Sequence, residues 1–234
     1  MDYFYTPPEN IIDRSVTIGG EEFTHLTHVM RKKQGDLIRV VDGQGNAYDV
    51  LLNEVGKKIA AGEILKSYIN HNESVISVTL GVGMLKNPSK FDFLVEKVTE
   101  LGVHTIVPLL TARTIPLHAK TDRWQKLALA AMKQCGRSYL PRIQRLTSLS
   151  EFLGECEPVH LKLVAHEQEG GVTAVKQFLN ASVQSVAILI GPEGGFEDGE
   201  IAQCRSVGYV PVYFGGKRLR TETAAIVAAA SVLL

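Results

Sequence analysis

The sequence has few cysteines, no long apolar run and no net charge, and each absence argues against a class of protein. Three cysteines among 234 residues, with no Cys-x-x-Cys spacing, predict a reducing cytoplasmic compartment. The longest apolar stretch, residues 224–234, is about half the ~20 residues that a membrane-spanning helix needs. The first eight residues carry an acid and two prolines, which is unlike a secretory signal peptide. We therefore expect a soluble, cytoplasmic protein with no membrane partner.

Net charge identifies no binding partner, because 25 basic residues balance 25 acidic ones. The distribution of charge is more informative. From Arg113 to Arg145 there are eight Lys or Arg residues and a single acid, Asp122. This excess could attract a polyanion, or it could belong to a solvated helix face with acidic partners elsewhere in the fold.

Two glycine-rich segments near the C-terminus are the strongest local signals. Residues 186–196 (VAILIGPEGGF) and 214–225 (FGGKRLRTETAA) each run from a short apolar stretch into glycines and then towards a predicted helix. This pattern is typical of ligand-binding loops at the ends of buried strands. Neither segment contains Gly-x-Gly-x-x-Gly or a Walker Gly-Lys-Ser/Thr ending, so dinucleotide and triphosphate sites are disfavoured.

The first 70 residues predict a small β-rich domain. Apolar runs at 36–41 and 47–52 flank a turn-forming segment and predict a hairpin. Further strands are predicted at 59–68 and 75–82, with one short helix around 21–31. A polar junction at 70–74 separates this part from the remainder.

Beyond the junction, strands alternate with helices. Ser89 and Gly102 are the predicted first and last caps of a helix, and Thr221 or Thr223 is the predicted cap of the last one. The other predicted helices are 122–135, 172–179 and 197–207. Buried strands are predicted at 104–108, 161–165, 186–190 and 210–214. Such alternation favours an α/β domain built on a mostly parallel sheet.

The two glycine-rich segments near the C-terminus also carry a family resemblance. Gly191–Phe196 (GPEGGF) and Leu219–Ala224 (LRTETA) resemble the signature loops of the SPOUT methyltransferases, and more closely those of the enzymes that methylate N3 of a uridine in bacterial 16S ribosomal RNA. Leu94–Val103 and Gln134–Arg137 resemble further segments of that family. His28–Arg31, followed by Gly35 and Asp36, is similar to its PUA-like RNA-binding domain. Lys133 and Ala112 depart from the family, which usually has glutamate at both positions.

The resemblance implies a complete architecture. It implies an α/β fold in which a SPOUT domain with a trefoil knot, residues 74–234, follows a small β-rich PUA-like barrel, residues 1–70. It also implies S-adenosylmethionine as the methyl donor, 16S ribosomal RNA of the small subunit as the partner, and a homodimer with a composite site.

The same resemblance implies a set of site residues. For catalysis, Glu193 or Glu222 would accept the imide proton, and Arg137 or Arg220 would stabilise the resulting anion. The cofactor would be held by the two glycine-rich loops, namely Ile190, Gly191, Pro192, Glu193, Gly194, Gly195, Phe214, Gly215, Leu219, Thr221, Thr223 and Ala224. RNA contacts are predicted at Arg31, Lys32, Lys33, Arg113 and Arg137.

Rival interpretations remain open from sequence. One is a non-catalytic RNA-binding or ribosome-assembly protein on the same scaffold, and another is methylation of a different RNA nucleotide. A third is an α/β enzyme that uses another nucleotide cofactor. His25 and His28 have metal-ligand spacing, but no third ligand accompanies them, so we predict no metal site. Cys135 lies in an apolar helical pattern with no evident base beside it, which disfavours a nucleophilic role.

Overall fold

The computed structural model describes residues 2–155, 159–166, 175–214 and 217–234. The chain divides into two compact units. Unit 1 contains the residues up to Glu73 together with Leu129–Leu140, and unit 2 contains Ser74–Ala128 and the residues from Pro141 onwards.

Unit 1 is built on a six-stranded sheet. Its elements in chain order are β1 (Tyr3–Tyr5), β2 (Ile11–Ile12), β3 (Ser15–Gly19), α1 (Gly20–Thr24), β4 (Leu37–Val41), β5 (Asn46–Val55) and β6 (Ile59–Ile69). A single π-helical turn, His25–Val29, continues α1. The strand order is β1-β4-β5-β6-β3-β2, and only the β1–β4 pair is parallel.

The predicted hairpin is β4–β5, and its turn shows why the sequence bends there. The Asp42 side chain accepts hydrogen bonds from the backbone N–H groups of Gln44 at 2.7 Å and Asn46 at 3.1 Å. Gly43 and Gly45 have φ values of 75° and 99°, a region that glycine enters without steric cost. Alternate strand residues then point inward and, together with Leu26 of the π-helical turn, form an apolar core that includes Phe4, Ile18, Ile38, Val40 and Leu52.

Residues 129–140, which the sequence placed in the second domain, pack within unit 1. Met132 is buried against Val41 and Ala47. Lys133, one of the two departures from the family pattern, lies 2.7 Å from the Glu22 carboxylate. Arg137 Nη2 lies 2.7 Å from Glu73 Oε2, and both side chains are 4% exposed.

Unit 2 is a parallel sheet covered by helices. Its elements are β7 (Ser77–Gly83), α2 (Pro88–Leu101), β8 (Thr105–Leu110), α3 (Thr121–Cys135, whose last residues belong to unit 1), β9 (Arg142–Ile143), β10 (Thr147–Ser148), α4 (Leu149–Glu155), β11 (Leu161–Ala165), β12 (Ser185–Ile190), α5 (Asp198–Ser206), β13 (Val210–Val212) and α6 (Thr221–Leu233). The strand order is β10-β8-β7-β12-β11-β13, with β9 beside β8, and every pair is parallel.

Two of the predicted helix caps were wrong. The first cap of α2 is Asn87 rather than Ser89, because the Asn87 side chain accepts the Ser89 N–H at 3.0 Å and Pro88 occupies the first helical position. The last cap of α2 is Gly102 at φ 109°, as predicted. In α6 the first cap is Arg220 with no side-chain capping bond, so neither Thr221 nor Thr223 caps the helix.

The predicted strands and helices are otherwise present with small shifts. The last strand is shorter than predicted, since β13 ends at Val212. Within the predicted helix 172–179 the structure describes a 3-10 turn, Val175–Gln177, and residues 172–174 lie outside the described part of the chain. No helix in the described ranges is long and apolar enough to cross a membrane.

The core of unit 2 lies on both faces of its sheet. On one face α2 packs against α6, and Phe91, Leu94, Val95 and Val98 of α2 are fully buried. A second cluster of buried apolar residues includes Val107, Leu109, Phe152, Val164, Leu189 and Ile201. In the central strand β7, a Cβ at Gly81 would lie 2.7 Å from Leu189 Cδ2, so a larger residue there would require the Leu189 side chain to shift.

The buried Glu73–Arg137 pair generates a stability prediction. Glu73→Ala leaves a guanidinium buried with its carboxylate partner removed, which costs about 3–5 kcal/mol for such pairs. Glu73 Oε1 also accepts the backbone N–H groups of Ser138 and Tyr139. Glu151→Ala is the control, because its Arg145 pair is exposed and such pairs contribute about 0–1 kcal/mol. Scanning calorimetry should show a clearly lower melting temperature for Glu73→Ala alone; equal shifts in both variants would contradict the assignment.

Candidate functional site

Unit 2 contains a cavity of about 530 Å³ at the carboxyl ends of three adjacent parallel strands. Ala165 ends β11 and His166 directly follows it, Ile190 ends β12, and Val212 ends β13. Carboxyl ends of parallel strands meet at one edge of a sheet, where loops can surround a ligand. The volume lies within the range of about 300–1,000 Å³ for small-molecule sites.

The loop that follows β12 is folded tightly on itself. A Cβ at Gly191 would lie 2.9 Å from the carbonyl carbon of Gly195 and 3.0 Å from the Phe196 nitrogen, so only glycine fits at this position. The Gly195 N–H donates to the Pro192 carbonyl at 2.8 Å, and Gly195 has a φ of 72°. This is a closed turn whose conformation requires its glycines.

The same loop is pressed against neighbouring elements. A Cβ at Gly83, the last residue of β7, would lie 2.5 Å from Pro192 Cδ. Glu193 Oε1 accepts the backbone N–H of Lys86 at 3.0 Å. Arg113 Nη1 donates to the Gly194 carbonyl at 2.6 Å. The loop is therefore fixed from two sides by backbone and side-chain contacts.

Helix α5 starts immediately after this loop with a capping box. The Glu197 side chain accepts the backbone N–H of Glu200, and the Glu200 side chain accepts that of Glu197. Glu200 Oε1 also accepts the Ala112 N–H at 2.8 Å. Ala112, the second departure from the family pattern, thus joins the loop before Arg113 to α5 through its backbone rather than through a side chain.

The described lining of the cavity is strongly basic. Five cationic side chains line it, namely Lys90, Arg113, Lys217, Arg218 and Arg220, beside a single carboxylate, Glu193. The His166 imidazole also lines the cavity. Such a surface favours an anionic or electron-rich partner.

An ion pair lies at the start of two helices beside the cavity. Lys90 is the third residue of α2, and its Nζ lies 3.2 Å from Oε1 of Glu222, the second residue of α6. Glu222 is 8% exposed. Its other oxygen, Oε2, is buried and has no hydrogen-bond partner within the described part of the chain.

The cavity brings together most of the predicted cofactor and catalytic residues. Its lining includes Ile190, Gly191, Pro192, Glu193, Gly194, Gly195, Phe214, Leu219, Arg220, Thr221 and Ala224. Thr223 is exposed and Glu222 is buried, and neither lines the cavity. Gly215 lies outside the described residues.

The predicted RNA-binding residues are distributed over both units. Arg31 and Lys33 are exposed in unit 1, where Lys32 pairs with Asp2 at 2.8 Å. Arg113 lines the cavity. Arg137 is buried in unit 1 against Glu73 and is not among the described lining residues of the cavity.

Several lining residues were not predicted from the sequence. His166 directly follows a predicted strand, and Lys217 and Arg218 belong to the glycine-rich segment 214–225, directly before Leu219. Strand ends and loop position were therefore available signals. Lys90 had one signal, since a lysine in the first turn of a helix is unfavourable for the helix dipole and calls for another reason.

The remaining histidine and cysteine candidates make local contacts within unit 1 or are buried. The His25 ring packs against Phe4 at a centroid distance of 5.7 Å, and His28 contacts Thr27. The Cys135 thiol donates to the Met132 carbonyl. Burial raises the pKa of the Cys204 thiol to about 11, which makes it unreactive near neutral pH.

Comparison with known proteins agrees with this geometry. The sequence model of the RNA methyltransferase domain matches residues 72–233, and that of the RNA methyltransferase PUA domain matches residues 18–65. Fold and loops thus define an RNA methyltransferase of the SPOUT type preceded by a PUA domain, which confirms the predicted fold class.

Individual relatives are similar over nearly the whole chain. The ribosomal RNA small subunit methyltransferase E of Synechocystis is 32% identical over 96% of this chain and 75% of its own length. That of Bacillus subtilis is 28% identical over 98% and 94%. The Neisseria gonorrhoeae enzyme of the same name, solved with bound S-adenosyl methionine, has a TM-score of 0.87 and 29% identity over 99% and 96%. The chain belongs to the ribosomal RNA small subunit methyltransferase E family.

Proposed function

We propose that this protein transfers a methyl group from S-adenosylmethionine to N3 of a uridine in 16S ribosomal RNA of the small subunit. The observation that carries the proposal is the cavity at the strand ends, whose lining contains most of both signature loops. The Neisseria relative holds S-adenosyl methionine, and the relatives' names specify ribosomal RNA of the small subunit. The choice of uridine N3 rests on the resemblance of the loops.

The cavity fits the proposed cofactor in size and chemistry. Nothing lies within 4 Å of the Cβ position of Gly195, which lines the cavity, so a flat nucleoside can approach the backbone closely there. Ile190, Phe196 and Leu219 provide apolar contact. When bound, S-adenosylmethionine supplies a methyl group already activated by its sulfonium, so the protein chiefly orients the reactants.

The protein groups then have to manage one proton and one developing negative charge. As the bond between N3 and the methyl carbon forms and the carbon–sulfur bond breaks, the electron pair of the latter remains on sulfur and the imide proton leaves N3. We assign proton acceptance to Glu193, the lone carboxylate among the described lining residues. Arg220, at the start of α6, is assigned to the negative charge on the uracil oxygens.

We assign Glu222 a different role from the predicted one. Its carboxylate is buried and paired with Lys90, and it does not line the cavity. A base must reach the proton that it removes. Glu193 meets this requirement better than Glu222.

The remaining parts of the proposal concern RNA binding and assembly. We propose the PUA domain, with the exposed Arg31 and Lys33, as an RNA-binding module. The trefoil knot and the homodimer with a composite site remain predictions from the resemblance. In support of a dimer, Ile226, Val227 and Ala230 of α6 are only half-buried in the single chain.

The decisive experiment is transfer of labelled methyl from S-adenosylmethionine to small ribosomal subunits that lack the modification. Nucleoside mass spectrometry should then detect 3-methyluridine. A different methylated nucleoside would replace the target assignment. Binding of small subunits without transfer, and without affinity for the cofactor, would favour the non-catalytic RNA-binding protein instead.

Gly191→Ala tests the cofactor loop. The added Cβ meets the Gly195 backbone, which cannot move as a flexible side chain would, so we expect at least a tenfold weaker affinity for S-adenosylmethionine, on the order of 1.4 kcal/mol. Isothermal titration calorimetry measures it. Gly199→Ala is the matched control, because nothing lies within 4 Å of its Cβ position. Normal affinity in Gly191→Ala would place the cofactor elsewhere.

Charge reversal tests the RNA surface of unit 1. Arg31→Glu combined with Lys33→Glu should weaken binding to small subunits. The slope of log affinity against log salt concentration should become less steep by roughly one to two. The control is Lys57→Glu with Lys58→Glu, an equally exposed basic pair in the β5–β6 turn. An identical loss in both pairs would indicate a general charge effect rather than a defined surface.

A further inference from the structure

The Lys90–Glu222 pair is placed at a cost that helix stability does not explain. Lys90 lies in the first turn of α2, where the helix dipole disfavours a cation. Glu222 is a buried carboxylate, and one of its oxygens has no partner within the described ranges. Burying such a group is unfavourable unless it is compensated. Glu222, in the first turn of α6, is favoured by the dipole of its own helix, so its cost is that of burial alone. The position of Lys90, which opposes the dipole of α2, therefore has another reason.

The two members have different access to the cavity. Lys90 lines the cavity, and its side chain remains 32% exposed. Glu222 has a side chain that is 10% exposed and stays outside the lining. The geometry therefore makes Glu222 the residue that holds and Lys90 the residue that is presented to a ligand.

The ammonium group keeps donors for a ligand after this pairing. A lysine carries three N–H donors, and Glu222 Oε1 accounts for one of them. Across the described residues, Nζ has no second carboxylate at ion-pair distance. The negative charge of Glu222 also offsets the charge of the ammonium, which limits its repulsion of a cationic methyl donor in the same cavity.

We propose that Lys90, positioned by Glu222, donates a hydrogen bond to the oxygen of the target nucleobase that gains negative charge during methyl transfer. The inference rests on the proposed function and adds a catalytic residue to it. Loss of the N3 proton leaves a negative charge that is shared with the base oxygens, and a fixed donor at that position stabilises it in the transition state. Glu222 is then a positioning residue.

The test compares lysine variants of the same helix. Lys90→Met removes the charge and keeps the length, and Lys97→Met is the matched control, since Lys97 is also on α2 and pairs with an acid, Glu100, at 2.6 Å. Single-turnover methyl transfer to unmodified small subunits should fall about 10²-fold in Lys90→Met and stay unchanged in Lys97→Met. The affinity for S-adenosylmethionine should be unchanged in both.

Glu222→Gln separates positioning from a purely structural role. Glu222→Gln alone should lower the rate, but it should cause no further loss in a protein that already carries Lys90→Met, because the two residues act through the same contact. Additive defects would assign Glu222 to helix packing alone and overturn its positioning role. Lys90→Arg keeps a cation at the position and should retain more activity than Lys90→Met, which guards against a misfolded variant.

The failures of the two proposals are distinguishable. Absence of transfer by the unaltered protein would overturn the proposed function and this inference with it. Full activity of Lys90→Met would overturn this inference alone. A weakened cofactor affinity with a normal rate at saturation would assign Lys90 to the methyl donor and would equally overturn it.

Discussion

The close approach of two backbones at one edge of the parallel sheet is the constraint on which the cavity depends. Strand β7 ends in Gly83, and Pro192 occupies the space where a side chain would otherwise be. The adjacent loop closes on itself at Gly191 and Gly195. Because neither contact tolerates a Cβ without displacement of backbone or ring, the loop conformation is selected by exclusion rather than by a large number of attractive contacts.

The charges around this cavity follow from what surrounds the loop. Arg113 is fixed by the Gly194 carbonyl, and Glu193 is fixed by the Lys86 backbone, so both charged groups are oriented by main-chain atoms. Lys90 is held by Glu222. Groups that are oriented before a ligand arrives need little reorganisation during a reaction, which is the condition for effective electrostatic stabilisation.

Much of this architecture could be predicted from the sequence, and the exceptions have physical reasons. The parallel strands and glycine loops produce local signals, and so does the Asn87-Pro88 helix start, since proline favours the first helical position and therefore indicates Asn87 as the cap. The Lys90–Glu222 pair has no local signal for its partners, because contact between α2 and α6 depends on the strand order β8-β7-β12-β11. The docking of residues 129–140 in unit 1 is equally non-local, since helical periodicity fixes which face of α3 is apolar and leaves open what covers it.

The discontinuity of unit 1 has a consequence for how the protein matures during synthesis. Val41 and Ala47 are buried against Met132, and Leu129 and Leu140 pack against the same cluster. A nascent chain that has emerged only as far as residue 73 therefore presents an uncovered apolar patch on its first sheet. Unit 1 is completed only when residues 129–140, more than half-way along the chain, have also left the ribosome.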